Sequence, residues 1–274
     1  MTIEAPYPEL DELITAIGEA CLHLSEIEAT EGAAGNVSVY LGWPVELRRR
    51  FPIVETLELP LEAPELAGGT LLVSGSGRRL REIILDPAAN LGALVIDPGG
   101  KTGRLHTSSR RLFARLTSEL NSHIAVHRDQ IKLTGTNFHA VVHAQPLHLT
   151  YLSHVPRYQD ETYLNQRLLR WQPELIVNLS DGIGLVPFAV PGTEALMAGT
   201  VASLRQHRLV VWAKHGMMAR SDLSVKRAAD RIEYAETAAK YECMNLSYGS
   251  LAEGLTNAEI RAICAEWGVV QTIF

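Results

Sequence analysis

The sequence predicts a layered α/β protein built around a mainly antiparallel or mixed sheet. Helical and strand-like segments alternate along the whole chain instead of falling into separate blocks. The strand-like runs are short and β-branched, and they are bounded by Gly, Ser and Pro turns. No internal repeat or low-complexity tract interrupts them. At 274 residues, with no long Pro/Gly/Ser-rich linker, residues 1–274 are expected to form one domain with a sizeable core.

Each element follows from its local pattern. Leu10, Leu13, Ile14, Ile17, Cys21 and Leu24 recur at helical spacing and give an amphipathic first helix. Small residues from Gly32 to Gly35 then make a tight turn into the alternating strand Asn36 to Tyr40. A proline-spaced, less regular region (Trp43 to Gly69) precedes the strand Thr70 to Val73, which ends in Ser74-Gly75-Ser76-Gly77. Leu91 to Ile96 reads as another strand, with Asp97-Pro98-Gly99-Gly100 as its turn. From Thr117, a good N-cap, the pattern becomes helical and puts Glu119 in the first turn. Asn137 to Val142 is strand-like, Thr193 to Gln206 helical, and Arg208 to Ala213 a strand running into Lys214-His215-Gly216. A long helix from Ser224 to Leu246 stops near Gly249, and a final one opens on the capping box Thr256-Asn257-Ala258-Glu259.

Composition excludes several classes. The 25 basic and 31 acidic residues give a formal charge of -6 without long like-charge blocks, which argues against a nucleic-acid platform or a polybasic membrane anchor. Cys21, Cys243 and Cys264 are scattered in apolar helical surroundings and show neither zinc-finger nor redox-pair spacing. They read as reduced, buried thiols. The first dozen residues lack the basic-then-apolar pattern of an export signal, and no run of about 18 apolar residues follows. The expectation is a soluble, cytoplasmic protein.

Chemistry concentrates at a few positions. His139 and His143 would share a face on a helix, but on the strand that Val141-Val142 favours they lie roughly 13 Å apart, too far for one ion. His139 is therefore not expected to be a ligand. Strand parity pairs His143 with Gln145 instead, at roughly 6.6 Å. His143 and His215 are each either metal ligands or hydrogen-bonded core histidines. Gly35-Asn36 and Ser74-Gly75-Ser76-Gly77 are small-residue loops able to present backbone N–H groups to an anion, or ordinary turns. Thr117-Ser118 at a helix N-terminus is the better anion site, because amides and the helix dipole point outward there. Glu119 beside it is either a complement to that dipole or a general base.

Taken together, Ala34-Gly35-Asn36-Val37-Ser38, Ser74-Gly75-Ser76-Gly77, Thr117-Ser118-Glu119, Ala140-Val141-Val142-His143 and His215-Gly216 resemble, in order and nearly end to end, the class II sugar-phosphate aldolases of the fuculose/rhamnulose aldolase and adducin-head superfamily. Leu85-Asp86-Pro87-Ala88-Ala89-Asn90-Leu91-Gly92, Asp181-Gly182-Ile183-Gly184 and Val190-Pro191-Gly192-Thr193 are most similar to its rhamnulose-1-phosphate branch. The resemblance implies a single three-layer α/β/α domain around a central, mainly antiparallel sheet. It also implies a cyclic homotetramer with active sites between neighbouring subunits, and one zinc or other divalent ion per subunit.

By the same resemblance, Gly35, Asn36, Ser74, Ser76, Gly77, Thr117 and Ser118 would hold the substrate phosphate. His143 and His215 would be metal ligands, and Glu119 would exchange protons at the carbon whose bond forms or breaks. Glu174, supplied by a neighbouring subunit, would handle the proton on the aldehyde-derived oxygen. The implied reaction is cleavage of a phosphorylated ketose, foremost L-rhamnulose 1-phosphate, to dihydroxyacetone phosphate and L-lactaldehyde through a metal-stabilised enediolate. A phosphosugar epimerase or dehydratase would share the scaffold and the chemistry, and an adducin-like interaction module would use the scaffold without it. Where the family carries His-x-His, this chain has His143-Ala144-Gln145. Gln145 is the expected third ligand by strand parity and His148 the second choice, and either implies a weaker or harder-metal site than three histidines.

Overall fold

Alternation along one strand shows how the molecule is layered. In β1 (Asn36–Leu41) Val37, Val39 and Leu41 join one hydrophobic core, whereas Asn36, Ser38 and Tyr40 face the opposite side of the sheet. The computed structural model describes residues 2–274. Its elements run α1 (Leu10–Glu26), β1, β2 (Ile53–Glu58), β3 (Thr70–Ser74), α2 (Leu80–Ile83), α3 (Pro87–Asn90), β4 (Leu91–Ile96), β5 (Thr102–Thr107), α4 (Leu120–Thr134) and β6 (Phe138–Ala144). After these come α5 (Leu147–Leu152), α6 (Glu161–Leu168), α7 (Pro173–Asn178), β7 (Gly184–Val186), α8 (Glu194–Leu204), β8 (Leu209–Trp212), β9 (Gly216–Ser221), α9 (Val225–Ser247) and α10 (Asn257–Glu266).

The strands form one nine-stranded sheet in the order β2-β5-β4-β3-β1-β6-β9-β8-β7. Neighbours are antiparallel except the β7–β8 pair, which α8 connects as a parallel crossover. Helices α1 and α9, with α5 to α7 and α10 around them, cover the Val37/Val39 face. On the other face α4 packs through Ile124 against Tyr40, Val73 and Leu94. Beside it Val126 of α4 and Leu196 and Leu204 of α8 meet Val141, Trp212 and Met218. The result is the expected α/β/α sandwich, with its central antiparallel strands the most deeply buried.

Several element boundaries match their sequence signals for clear reasons. All six periodic residues of α1 are buried. Thr193, Ser224 and Thr256 each cap a helix by accepting a backbone N–H at their side-chain oxygen. One boundary differs: α4 starts at Leu120 with Glu119 as its N-cap residue, not at Thr117. The Thr117 amide bonds to Ser74 O (3.0 Å), so Thr117 and Ser118 stay in the loop that crosses the end of β3. The β2–β5 ribbon and the short helices α5 to α7 gave no clear signal. β2 is an edge strand exposed along almost its whole length, so no buried period marks it. The helices are only 6 to 8 residues long, about two turns or fewer.

Among the described residues no helix is long and apolar enough to cross a membrane. The three cysteines are free, and burial pushes the Cys21 and Cys243 thiols up, the latter to about 11. That keeps those two as unreactive thiols near neutral pH.

Candidate metal and anion site

The pairing of β1 with β6 sets Asn36 directly opposite His143. Both side chains fall on the α4 face, where Glu119 descends from the helix N-terminus. The turn into β1 closes tightly there: Gly35 has φ +85°, and a Cβ on it would lie 3.0 Å from His143 O. Only glycine occupies such a position without strain.

His143 contributes one fixed lone pair. Its Nδ1 donates to Met217 O on β9 (2.8 Å), so the neutral ring is the tautomer whose lone pair is on Nε2, which faces Glu119. His215 comes from the turn between β8 and β9. Lys214 holds a left-handed conformation there (φ +65°), and its amide donates to Ser153 Oγ (2.8 Å). Gly216 lets that turn approach β6, because a Cβ on it would lie 2.5 Å from Ala144 O and 3.2 Å from His143 Cε1. Trp212 stacks on both imidazoles, with ring centroids 4.6 Å from His143 and 5.1 Å from His215.

Between the two rings sits the Glu119 carboxylate. Its Oε2 is 3.7 Å from His143 Nε2 and its Oε1 is 3.7 Å from His215 Nε2. The three ligand atoms lie within 4.8 Å of one another, a spacing that suits convergence on a single cation. Asn36 Nδ2 donates to the same Oε2 (2.9 Å). Burial would push the Glu119 carboxyl up, but His143, the Asn36 hydrogen bond, His123 and His215 together hold it below the usual carboxylate range. Burial and the neighbouring His143 lower His215, partly offset by Glu119. Glu119 is therefore a carboxylate and His215 a neutral imidazole at neutral pH, the protonation states that binding a cation requires.

The cleft, about 190 Å³, is walled by the 33–36 turn, the 75–77 turn and the 117–119 loop, with Gln145, Pro191 and His215 across from them. Ser76 and Thr117 engage their own amides inside the fold, on Arg115 O and Ser74 O. Ser76, Gly77 and Ser118 line the cleft along this lip. Gly77 takes φ +73° to turn there. Thus Gly35, Asn36, Ser76, Gly77, Thr117, Ser118, Glu119, His143, Gln145 and His215 all converge on one cleft.

Four other residues singled out in the sequence lie outside that cleft. Ser74 is buried behind the wall, its Oγ accepting from the Val37 amide (3.1 Å). Glu174 is exposed in the first turn of α7, outside its own chain's cleft. His148 bonds through Nδ1 to Glu236 Oε1 (2.7 Å) on α9 and does not reach the cleft, which leaves Gln145 as the side chain beside the two imidazoles. His139 is buried against His127, away from the cation position, as strand spacing indicates.

Sequence reasoning missed Trp212 as the platform beneath both imidazoles. It also missed His123 and His127, although their i, i+4 spacing on α4 opposite polar Ser38 was a readable sign of a buried polar contact.

Two imidazoles and a carboxylate thus converge beside turns of small residues, an arrangement able to hold a cation next to an anionic ligand. Residues 15–243 match the family described as Class II Aldolase and Adducin N-terminal domain. Rhamnulose-1-phosphate aldolases from Yersinia pestis (strain Pestoides F) and Yersinia pseudotuberculosis (serotype O:1b, strain IP 31758) are 32% identical over 244 residues, covering 87% of this chain and 87% of theirs. A sugar-phosphate aldolase from Thermotoga maritima superposes with a TM-score of 0.74 at 28% identity, over 88% of this chain and 97% of that one. The L-fuculose-1-phosphate aldolase of Thermus thermophilus shares the fold at 18% identity, with a TM-score of 0.53 over 89% and 98% of the chains. The chain belongs to the class II aldolase and adducin N-terminal family.

Proposed function

We propose that this chain, read over 1–274 as one catalytic unit, is a metal-dependent aldolase that cleaves a phosphorylated ketose. L-Rhamnulose 1-phosphate is the favoured substrate, with dihydroxyacetone phosphate and L-lactaldehyde as products. The observation that carries this reading is the convergence of Glu119, His143 and His215 next to the Ser76-Gly77 and Thr117-Ser118 lip. The Yersinia relatives, at 32% identity, support the choice of sugar.

The residues present fit a divalent ion, zinc foremost. His143 is held in the tautomer that leaves Nε2 unprotonated, and His215 and the Gln145 amide oxygen complete a set of nitrogen and oxygen donors. When bound, such an ion supplies Lewis acidity toward the ketose oxygens as the C3–C4 bond breaks. The lip donors orient the phosphate and with it the carbon skeleton. Glu119, steadied by Asn36, is the carboxylate base that removes the C3 proton in synthesis; in the cleavage direction it first takes up a proton from solvent and returns that proton to C3. Glu174, exposed on α7, serves the cleft of a neighbouring subunit in a cyclic homotetramer and handles the proton on the aldehyde-derived oxygen.

Metal analysis of the purified protein, combined with L-rhamnulose 1-phosphate cleavage before and after chelation, tests the reading. About one divalent ion per chain is expected, with turnover that chelation abolishes and zinc restores. Glu119→Ala should lower kcat by roughly 10²- to 10⁴-fold, the usual contribution of a positioned acid or base. A metal-replete protein that cleaves no phosphorylated ketose overturns the proposal.

A further inference from the structure

Behind Glu119 runs a line of buried polar side chains that the aldolase chemistry does not by itself require. Asn36 Oδ1 meets His123 Nε2, His123 Nδ1 meets Ser38 Oγ (2.6 Å), Ser38 Oγ meets His127 Nε2 (2.7 Å), and His127 Nδ1 meets His139 Nδ1 (2.9 Å). The three imidazoles and Ser38 are fully buried, and Asn36 nearly so. Strand β1 supplies Asn36 and Ser38 two residues apart, α4 supplies His123 and His127 one turn apart, and β6 supplies His139.

One end of the line fixes its direction. A carboxylate only accepts hydrogen bonds, so Asn36 turns its NH₂ to Glu119 and its carbonyl to His123. His123 must then carry its proton on Nε2 and accept at Nδ1 from the Ser38 hydroxyl. The Ser38 oxygen in turn accepts from His127 Nε2–H, and His127 Nδ1 accepts from His139 Nδ1–H. His139 Nε2 is left as a bare acceptor, and it has no hydrogen-bond partner. Every donor in the line points toward Glu119. Burial keeps the rings neutral, pushing His123 down to about 4 and His139 to about 3, with His127 well below its ordinary value.

We propose that Ser38, His123, His127 and His139 form a one-way hydrogen-bond chain that positions Asn36, and through it the Glu119 carboxylate, for proton exchange with substrate. The inference rests on the aldolase reading only for the job it gives Glu119. These four are positioning residues. The aligned dipoles hold Asn36 in one orientation, and each bond strengthens the next in a low-dielectric interior. The line orients a carboxylate and does not conduct, because the Asn36 amide has no acidic proton to pass on.

The ring tautomers test the chain without any turnover. Long-range ¹H–¹⁵N spectra of the full-length, metal-free protein with labelled histidine, recorded above pH 7, should show His123 and His127 protonated at Nε2 and His139 at Nδ1. Finding His139 protonated at Nε2, or His123 at Nδ1, overturns the proposal whether or not the protein is an aldolase. The second arm compares His123→Gln, whose amide keeps a donor toward Asn36, with His123→Leu, which has none. At equal metal content, His123→Leu should lower kcat by roughly 10- to 100-fold, part of what a positioned base supplies, with KM within about twofold, and His123→Gln should recover most of the loss. Equal losses in the two variants, or an undiminished kcat in His123→Leu, overturn the positioning role. Absence of turnover in the wild type would instead count against the aldolase reading and leave the tautomer result to judge the chain.

Discussion

In the proposed metal centre Gln145 stands where a third histidine would, and the fold holds it at the cleft. Its backbone amide is fixed on Ala29 O (2.7 Å), and its side chain lines the same cleft as His143 and His215. An amide oxygen is a weaker ligand than an imidazole for a borderline-soft ion. Gln145→His should therefore tighten zinc binding by on the order of 10- to 100-fold, the scale on which a changed ligand environment moves affinity. Chelator competition measures this, and unchanged affinity would remove Gln145 from the ligand set. Gly216 is the other position where a single atom decides the site. A methyl group there would sit 2.5 Å from Ala144 O and 2.9 Å from Gln145 Cγ. Gly216→Ala is expected to cost about 1–3 kcal/mol by overpacking and to displace His215, which thermal melting and metal content would report together.

At the scale of elements, the site depends on two placements: the register of β1 against β6, and the height at which α4 begins. The register puts Asn36 across from His143 and Ser38 across from Val141. A slip of one residue would turn every polar group of β1 into the α1/α9 core. Beginning at Leu120, α4 leaves Glu119 at its mouth, while His123 and His127 follow on the face turned to the sheet. Helix α9 braces the other face of the same strands, and Ser224 caps it by accepting the Arg227 amide (3.1 Å). Ser224→Ala should lower stability by about 1 kcal/mol while leaving metal content unchanged, since Ser224 lies outside the cleft. Urea denaturation with metal analysis checks both halves of that expectation. Much of this level was legible beforehand: the capping box at Thr256, the helix starts at Thr193 and Ser224 and the periodicity of α1 all read correctly. The β2–β5 ribbon did not, because an exposed edge strand carries no buried period.

For the molecule as a whole, three buried neutral imidazoles make folding sensitive to acid. His123, His127 and His139 are all held below their ordinary value of 6.5 by burial, to about 4 and about 3 for the first and last. The unfolded chain therefore binds protons between about pH 6.5 and 4 that the folded chain refuses, and stability falls as pH falls through that window. Each imidazole removes roughly 1 kcal/mol per pH unit. Carboxylates held low by partners, such as Asp11 and Glu161, lose their contribution only at lower pH, below their ordinary values of 3.8 and 4.5. His207 acts in the opposite sense. Burial lowers it, but Glu161 and Asp181 O raise it further, so its contribution is complete below 6.5 and is lost as pH rises through its folded value. Unfolding free energies measured at pH 7 and pH 5.5 should differ by several kcal/mol, and near-equality would mean that the buried histidines already carry charge.

The sequence by itself determined the α/β class, the family, the small-residue lip and the two imidazoles, because each is written in short contiguous strings whose local geometry is self-contained. It also pointed away from His139 as a ligand, since strand spacing alone separates it from His143. Only the tertiary structure decided that Asn36 bonds to Glu119, that Ser74 stands behind the wall, and that His148 belongs to Glu236 and not to the cleft. It alone joined Ser38, His123, His127 and His139 into one line. Most of these contacts join residues 83 to 89 positions apart, Ser74 meets Val37 from 37 positions away, and His127 meets His139 across the turn from α4 to β6. Their geometry is fixed by sheet register and helix placement, which long-range packing sets and short strings do not encode.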